Sequence, residues 1–280
     1  MVRIFTRQEI VERLRKEVAA GRALFDALVG SGITAKFAEA GGADLITTFI
    51  LAYYRMQGLS SMAGYLPIGD ANAMVLDLGE RAILPAVRDT PVLAGLLGAD
   101  PTRDMARHLD KVAAVGFSGV MNCPTLALID GKFRRDLEET GMTYRKEVEM
   151  IRLAHARGMF TKAFSTTVEE ALMMVEAGAD NVIAHLGNSS GGSIGSRGVV
   201  GLEEGAERIA AICRAVKRAN PATFTTCHGG ALETPGQVRE VLARVPELDG
   251  YVGGSSAERF PVEESVTAAA RGFKAIARKG

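Results

Sequence analysis

The chain has 280 residues, 47% of them hydrophobic and 24% charged, with Lys+Arg and Asp+Glu balanced at 33 each. That length and composition suit one α/β barrel of about 250 residues with a full core. The zero formal net charge argues against nucleic acid as the main partner, because phosphate-backbone binding needs clustered positive charge.

In chain order, Thr6 followed by Glu9 reads as a capping box, with Ile10, Leu14 and Val18 at helical spacing behind it. An N-terminal helix is therefore expected over residues 1–22. The segment 23–29 reads as a strand, SGITAKFAEAGG as a helix, and 43–49 as the next strand. A long loop, ILAYYRMQGLSSMAGYLPIG, precedes the helix DANAMVLDLGERAI. Strand 91–97 leads to the helix TRDMARHLDKVAAVG, and strand 117–122 to a second long loop and the helix YRKEVEMIRLAHARG. Strands at 159–164, 180–187, 222–228 and 248–254 are each followed by a helix. The strands are short apolar runs with little alternation, as buried parallel strands are. EAGGADLI, AVGFSGV and EAGADNVI each end a helix on Gly and enter a strand within a few residues. Eight such units predict a (β/α)8 barrel over 23–280 as a single domain. The rival, a doubly wound open sheet, lacks its G-x-G-x-x-G after the first strand.

Cys123, Cys213 and Cys227 are too few and scattered for a disulfide framework and fit a reducing compartment. The charged N-terminus has no signal-peptide core, and no run of about 18 apolar residues occurs. The expectation is a cytoplasmic protein with no membrane partner.

In a barrel the site lies at the C-terminal strand ends. Those ends carry Gly30 and Ser31, Tyr53 to Arg55, Asp100, Asn122 to Thr125, Ser165, His185, His228 to Gly230, and Gly253 to Ser256. HGG after the seventh strand and GGSS after the eighth predict an anion cradle, because glycine lets main-chain N–H groups approach an anion. Its expected members are Gly229, Gly230, Gly254, Ser255 and Ser256, with Arg259 adding charge. His185 and His228 are candidate acid/base or electrophilic groups; the bland alternative is a neutral histidine bonded to a loop carbonyl. His108 and His155, inside helices, read as solvated. Cys227 adjoins His228, but strand neighbours face opposite ways, so Cys227 and Cys123 read as packing residues. Asn122 and Thr125 offer hydrogen bonds, Glu138 and Glu139 a carboxylate base or metal ligand, and Lys36 a cation near the mouth. The alternative for the loop bearing Glu138 is a lid packed on another subunit. GNSSGGSIGSRG (187–198) reads as a lid, a second anion contact or a linker. Asp100, Glu138 and Glu139 are the available carboxylates, so the sequence admits a divalent metal such as Mg²⁺ without pointing to one.

GITAKFAEAGGADLI, YRMQGLSSMAGYLP, PVLAGLLGADP, GFSGVMNCPTLALIDGKFRRDLEETGM, AGADNVIAHLG, CHGG and GGSSAERFPVEES together resemble the phosphoenolpyruvate hydrolase-like TIM-barrel family. That group also supplies the C-terminal half of the tomato tobamovirus-resistance protein. The resemblance runs from about residue 6 to 276, and LEETGM and SSAER are its most specific stretches. It implies a barrel of the phosphoenolpyruvate/pyruvate type, a small phosphorylated or carboxylated ligand, and a homo-oligomer. Hydrolase or lyase chemistry on such a metabolite follows as the expectation, with a non-catalytic ligand sensor or protein-binding scaffold as the alternative. The chain lacks the Glu-Asp-Lys run and downstream carboxylates of phosphonopyruvate-type enzymes. Ile50, Leu51, Ala52 and Tyr53 stand where the family has polar residues, and Asp26, Leu28 and Val29 where it has small ones. A bulkier or more apolar substrate is the expected consequence.

Overall fold

The computed structural model describes residues 3–278. Helix α1 (Arg7–Ala19) is followed by β1 (Leu24–Val29), α2 (Gly32–Ala40), β2 (Leu45–Thr48), α3 (Ile50–Met56), α4 (Ala71–Leu78) and β3 (Val92–Leu96). Then come α5 (Met105–Val115), β4 (Gly119–Asn122), α6 (Gly131–Glu139), α7 (Tyr144–Ala156), β5 (Phe160–Ser165), α8 (Val168–Glu176) and β6 (Asn181–Ser189). The chain ends with α9 (Leu202–Ala219), β7 (Phe224–Gly230), α10 (Pro235–Arg244), β8 (Gly250–Gly253) and α11 (Arg259–Lys274). All eight strands pair in parallel and in sequence order, and β8 closes on β1 through pairs such as Leu24 with Gly250 and Ala27 with Gly253. The expected (β/α)8 barrel is therefore the observed fold.

The capping box at Thr6 forms in full, with Thr6 Oγ1 accepting from the Glu9 amide and the Glu9 carboxylate accepting from the Thr6 amide. It aims α1 across the N-terminal end of the barrel. There Phe5, Ile10 and Leu14 pack on Leu24, Leu45, Leu93, Phe160 and Phe224, the lowest inward residues of five strands. Each such side chain removed from water contributes about 1.5–3 kcal/mol, so α1 is a sealed base rather than an appendage. The short αβ turns use Gly42, Gly116 and Gly178 at φ of 86°, 116° and 91°, conformations a Cβ disfavours.

Three segments differ from the sequence reading. ILAYYRM forms helix α3 and not a loop: the stretch has no breaker, and Ile50, Leu51, Ala52 and Tyr54 are buried. The long loop after β4 contains helix α6. Helix α5 starts at Met105, not at Thr102, because the Asp104 side chain caps it by accepting from the Arg107 amide.

Candidate functional site at the C-terminal mouth

Alternation along the strands sorts inward side chains into layers. Asp26 of β1, Thr47 of β2 and Lys162 of β5 meet in the middle of the barrel. Lys162 is fully buried and ion-paired with Asp26, and its Nζ donates to Thr47 Oγ1 at 2.8 Å. Burial alone drives the Lys162 pKa well below its ordinary value. Sequence reading passed over this pair, because neither residue lies at a strand end. Asp26 sits within β1 rather than after it.

One layer higher, Phe164, His185 and His228 form the floor of the mouth. The Phe164 and His185 rings are 4.5 Å apart edge to face, and the two imidazoles are 4.8 Å apart. The neighbours of the two rings fix opposite tautomers. His185 Nδ1 accepts from the Gly187 amide at 2.9 Å, so its proton is on Nε2. His228 Nδ1 lies 2.7 Å from the Val252 carbonyl, which can only accept, so Nδ1 carries the proton and Nε2 is a lone pair. Burial lowers the pKa of both: His185 well below its ordinary value, with His228 adding to the effect, and His228 to about 4, with Arg55 and Lys162 contributing against the Val252 bond. At neutral pH the pair is uncharged, one ring offering a donor and the other an acceptor.

Arg55 of α3 completes the wall. It is buried against Glu258, with Nε and Nη2 donating to Glu258 Oε2 at 3.0 and 2.5 Å and Nη2 also to the Leu28 carbonyl at 2.7 Å. Glu258 Oε1 accepts from the Gly30 amide and Thr34 Oγ1, both at 2.6 Å. Among the described residues Arg55 Nη1 has no protein acceptor. A Cβ on Gly254 would stand 3.4 Å from that nitrogen and 3.0 Å from His228 Cε1. Glycine is thus what keeps the space between Arg55 and His228 open. The turn that follows uses the amides of Ala257 and Glu258 on the Gly254 carbonyl, and that of Phe260 on Ser255. The amides of Gly254, Ser255 and Ser256 bond to no acceptor among the described residues.

These groups line a cavity of about 50 Å³ with Phe49, Leu51 and Phe164. Ser61, Asn188, Ser189 and Ser255 also line an outer chamber of about 260 Å³ that Met62, Ile194 and Arg259 share. Phe49 and Leu51 make one wall of the inner cavity apolar.

The other expected site residues have protein partners or packing roles of their own. Gly229 and Gly230, at φ of 86° and 61°, are accounted for by packing on β6: a Cβ on Gly229 would lie 2.0 Å from the Gly187 carbonyl oxygen, and one on Gly230 3.1 Å from Leu186 Cβ. The Ser256 hydroxyl pairs with Tyr251 Oη at 2.8 Å, beside a groove outside the barrel, so only its amide is left for the mouth. Arg259 donates to Glu263 at 2.8 Å and to the Gly191 carbonyl at 3.1 Å, and Glu263 accepts from the Ser193 amide and hydroxyl. That charge tethers the glycine-rich loop. Asn122 is fully buried and bonded to Glu147 at 2.8 Å, joined there by Thr125 Oγ1 and the Leu126 amide. Burial pushes the Glu147 pKa up to about 8, against those three donors. Glu147 anchors the loop after β4, and sequence reading missed it because it sits in the first turn of α7, away from any strand end. Glu138 pairs with Arg134 and accepts from the Tyr144 amide. Glu139 and Lys36 are exposed on α6 and α2. His108 is buried and His155 half-buried, not solvated: both lie on inward or flanking faces of their helices. Cys227 is fully buried outside the ring of inward residues, with Sγ 3.8 Å from the Gly250 carbonyl oxygen, and burial raises its pKa.

The donor set does not fit a divalent cation. Burial opposes ionisation of Asp100, but Thr102, Asn72 and Arg103 donate to it and hold its carboxyl below the ordinary value. Glu258 and Glu147 are likewise engaged, and no three His, Cys, Asp or Glu among the described residues converge.

The sequence profile of the phosphoenolpyruvate hydrolase-like family matches residues 9–276. The chain belongs to this family. It is 44% identical over 270 residues to the ToMV resistance protein Tm-1 of tomato (Solanum lycopersicum), a match covering 96% of the chain and 36% of the relative. The chain thus spans about a third of that protein. Among solved structures it resembles phosphonopyruvate hydrolase in complex with oxalate and Mg²⁺, at TM-score 0.64 and 16% identity, covering 95% of this chain and 87% of that one. It also resembles 2,3-dimethylmalate lyase, at TM-score 0.60 and 16% identity, covering 97% and 88%. At such identities the likeness shows the fold alone, a closed (β/α)8 barrel.

Proposed function

We propose that the protein is an enzyme of hydrolase or lyase type acting on a small carboxylated or phosphorylated metabolite at the C-terminal mouth. The observation that carries this reading is the pair of neutral imidazoles in complementary tautomers beside the unpaired Arg55 Nη1. The anionic group docks between Arg55 Nη1 and the amides of 254–256. His185 Nε2–H donates to an oxygen that gains charge in the transition state, and Arg55 shares that charge. His228 Nε2 accepts the proton that leaves water or a carbon. An anion bound beside His228 raises its pKa from the low resting value, which strengthens it as a base. Family membership and neighbours named for phosphonopyruvate hydrolysis and dimethylmalate cleavage support the reaction class.

The test is turnover of a panel of phosphonate, phosphate and branched dicarboxylic acids. His185→Ala and His228→Ala are each expected to slow the active substrate by about 100-fold or more, while His228→Ala still binds oxalate. A ligand sensor is the second reading, favoured because no carboxylate among the described residues at the mouth is free to act as a base. It predicts oxalate binding with no turnover of any panel member.

The same proposal takes the chain as a homo-oligomer. Of α11 only Arg259 is buried, and Val262, Val266 and Phe273 stand exposed along one stripe. Beside it, Phe25, Val238, Leu242 and Tyr251 line an apolar groove of about 520 Å³. Two uncovered apolar surfaces of this kind are the ones assigned to contact between copies. Val266→Asp with Phe273→Asp should lower the mass seen by light scattering; an unchanged mass would remove this part of the proposal. No helix among the described residues is long and apolar enough to cross a membrane.

A further inference from the structure

A second polar cavity, of about 290 Å³, opens at the opposite end of the barrel, between α1, the C-terminal end of α7 and the turn before β7. Its polar lining is Arg7, Arg15, His155, Asp180, Asn220 and Thr223. The one carboxylate is already occupied. Asp180 Oδ1 accepts from Arg7 Nε at 2.8 Å, and Oδ2 accepts from the Thr161 amide and hydroxyl at 3.0 and 3.1 Å. The donors are not. Among the described residues Arg15 has no ion-pair partner, and Asn220 uses its Oδ1 on the Ala222 amide at 3.0 Å while its Nδ2 has no acceptor. His155 Nδ1 is buried without a partner, its ring lying where a Cβ on Gly178 would come within 2.9 Å. Two arginines face one carboxylate, so these three groups together carry one net positive charge. Surplus donors, surplus positive charge and a spent acceptor select an anion over a cation.

We propose that this crevice binds a phosphate group, free or as a phosphomonoester, between Arg15, Asn220 and the outer edge of Arg7. The volume admits a tetrahedral oxyanion with a substituent pointing outward. Because Arg7 and Arg15 stand on α1, His155 on α7 and Asn220 at the end of α9, the ligand ties the sealing helix to the barrel wall. Ligand binding to the folded state alone also raises the melting temperature.

The site is independent of the mouth, and calorimetric titration with inorganic phosphate at low ionic strength separates the two. Wild-type protein should show a class of sites that weakens about tenfold, the loss of one charge-assisted hydrogen bond, in Arg15→Ala and in Asn220→Ala. Both residues are exposed, so the variants keep the fold. Gly254→Ala, which fills the mouth, should leave this class unchanged. Isotherms of Arg15→Ala and Asn220→Ala that superimpose on wild type, or a wild-type protein whose only phosphate binding is lost in Gly254→Ala, would overturn the proposal. Titration with glycerol phosphate tells a free phosphate site, which it does not fill, from one open to phosphomonoesters.

Discussion

Gly254→Ala is the sharpest perturbation of the mouth because it adds one methyl and little else. Gly254 is not in the left-handed region, so alanine can adopt its backbone. The added Cβ would lie 3.0 Å from His228 Cε1, 3.4 Å from Arg55 Nη1 and 3.7 Å from His228 Nε2. The shortest contact is a few tenths of an ångström tight, so the imidazole shifts slightly, and the stability cost stays near the low end of the roughly 1–3 kcal/mol of overpacking. Binding suffers more. A methyl here would narrow the gap between Arg55 and His228, both of which line the inner cavity. It also screens the one Arg55 nitrogen that is free to meet a ligand. Losing a hydrogen bond to a charged group costs about 1.5–3 kcal/mol, or roughly 10- to 150-fold in affinity. Calorimetric titration with oxalate measures it, with urea denaturation confirming the fold. Oxalate affinity within twofold of wild type in a folded Gly254→Ala protein would refute the assignment of this space to the anion.

Three further predictions rest on buried groups. Lys162→Met leaves the Asp26 carboxylate buried and uncompensated, which should cost about 3–5 kcal/mol in urea denaturation, whereas Lys162→Met with Asp26→Leu should recover most of it; equal losses in both would argue against a true ion pair. The native state disfavours protonated His228, whose pKa falls from an ordinary 6.5 to about 4, while the unfolded chain protonates it. Its contribution is therefore complete above pH 6.5 and is lost as pH falls towards about 4, by at most about 3 kcal/mol. Comparing urea midpoints of wild type and His228→Gln across that window checks the sign, and parallel curves would contradict it. All three thiols are buried, so a thiol reagent should label Cys227 only in denaturant; rapid labelling of the native protein would restore a Cys227–His228 dyad.

The fold was readable because its signals are local. The Thr6–Glu9 box, the glycines at 42, 116 and 178, and the apolar strand runs each act within a few residues, and eight repeats leave a barrel as the consistent answer. His185 and His228 were readable for the same reason, since strand ends convert position into exposure at the mouth. Arg55 was within reach as a strand-end residue but looked like part of a loop. Its role needs Glu258, 203 positions away, and no spacing rule links the two. Lys162, Asp26 and Glu147 were hidden because their partners come from other strands and helices. Gly229 and Gly230 are ambiguous for a different reason: close packing on β6 asks for the same residue as close approach to an anion. Only Gly254, whose missing Cβ faces Arg55 and His228, separates the two uses.

The most direct measurement is a crystal structure of the protein with oxalate bound. One carboxylate should lie within hydrogen-bonding distance of Arg55 Nη1 and of the Ser255 or Ser256 amide, with His185 Nε2 on a neighbouring oxygen. Oxalate held instead on Gly229 and Gly230, or at Asp100 through a metal ion, would contradict the account.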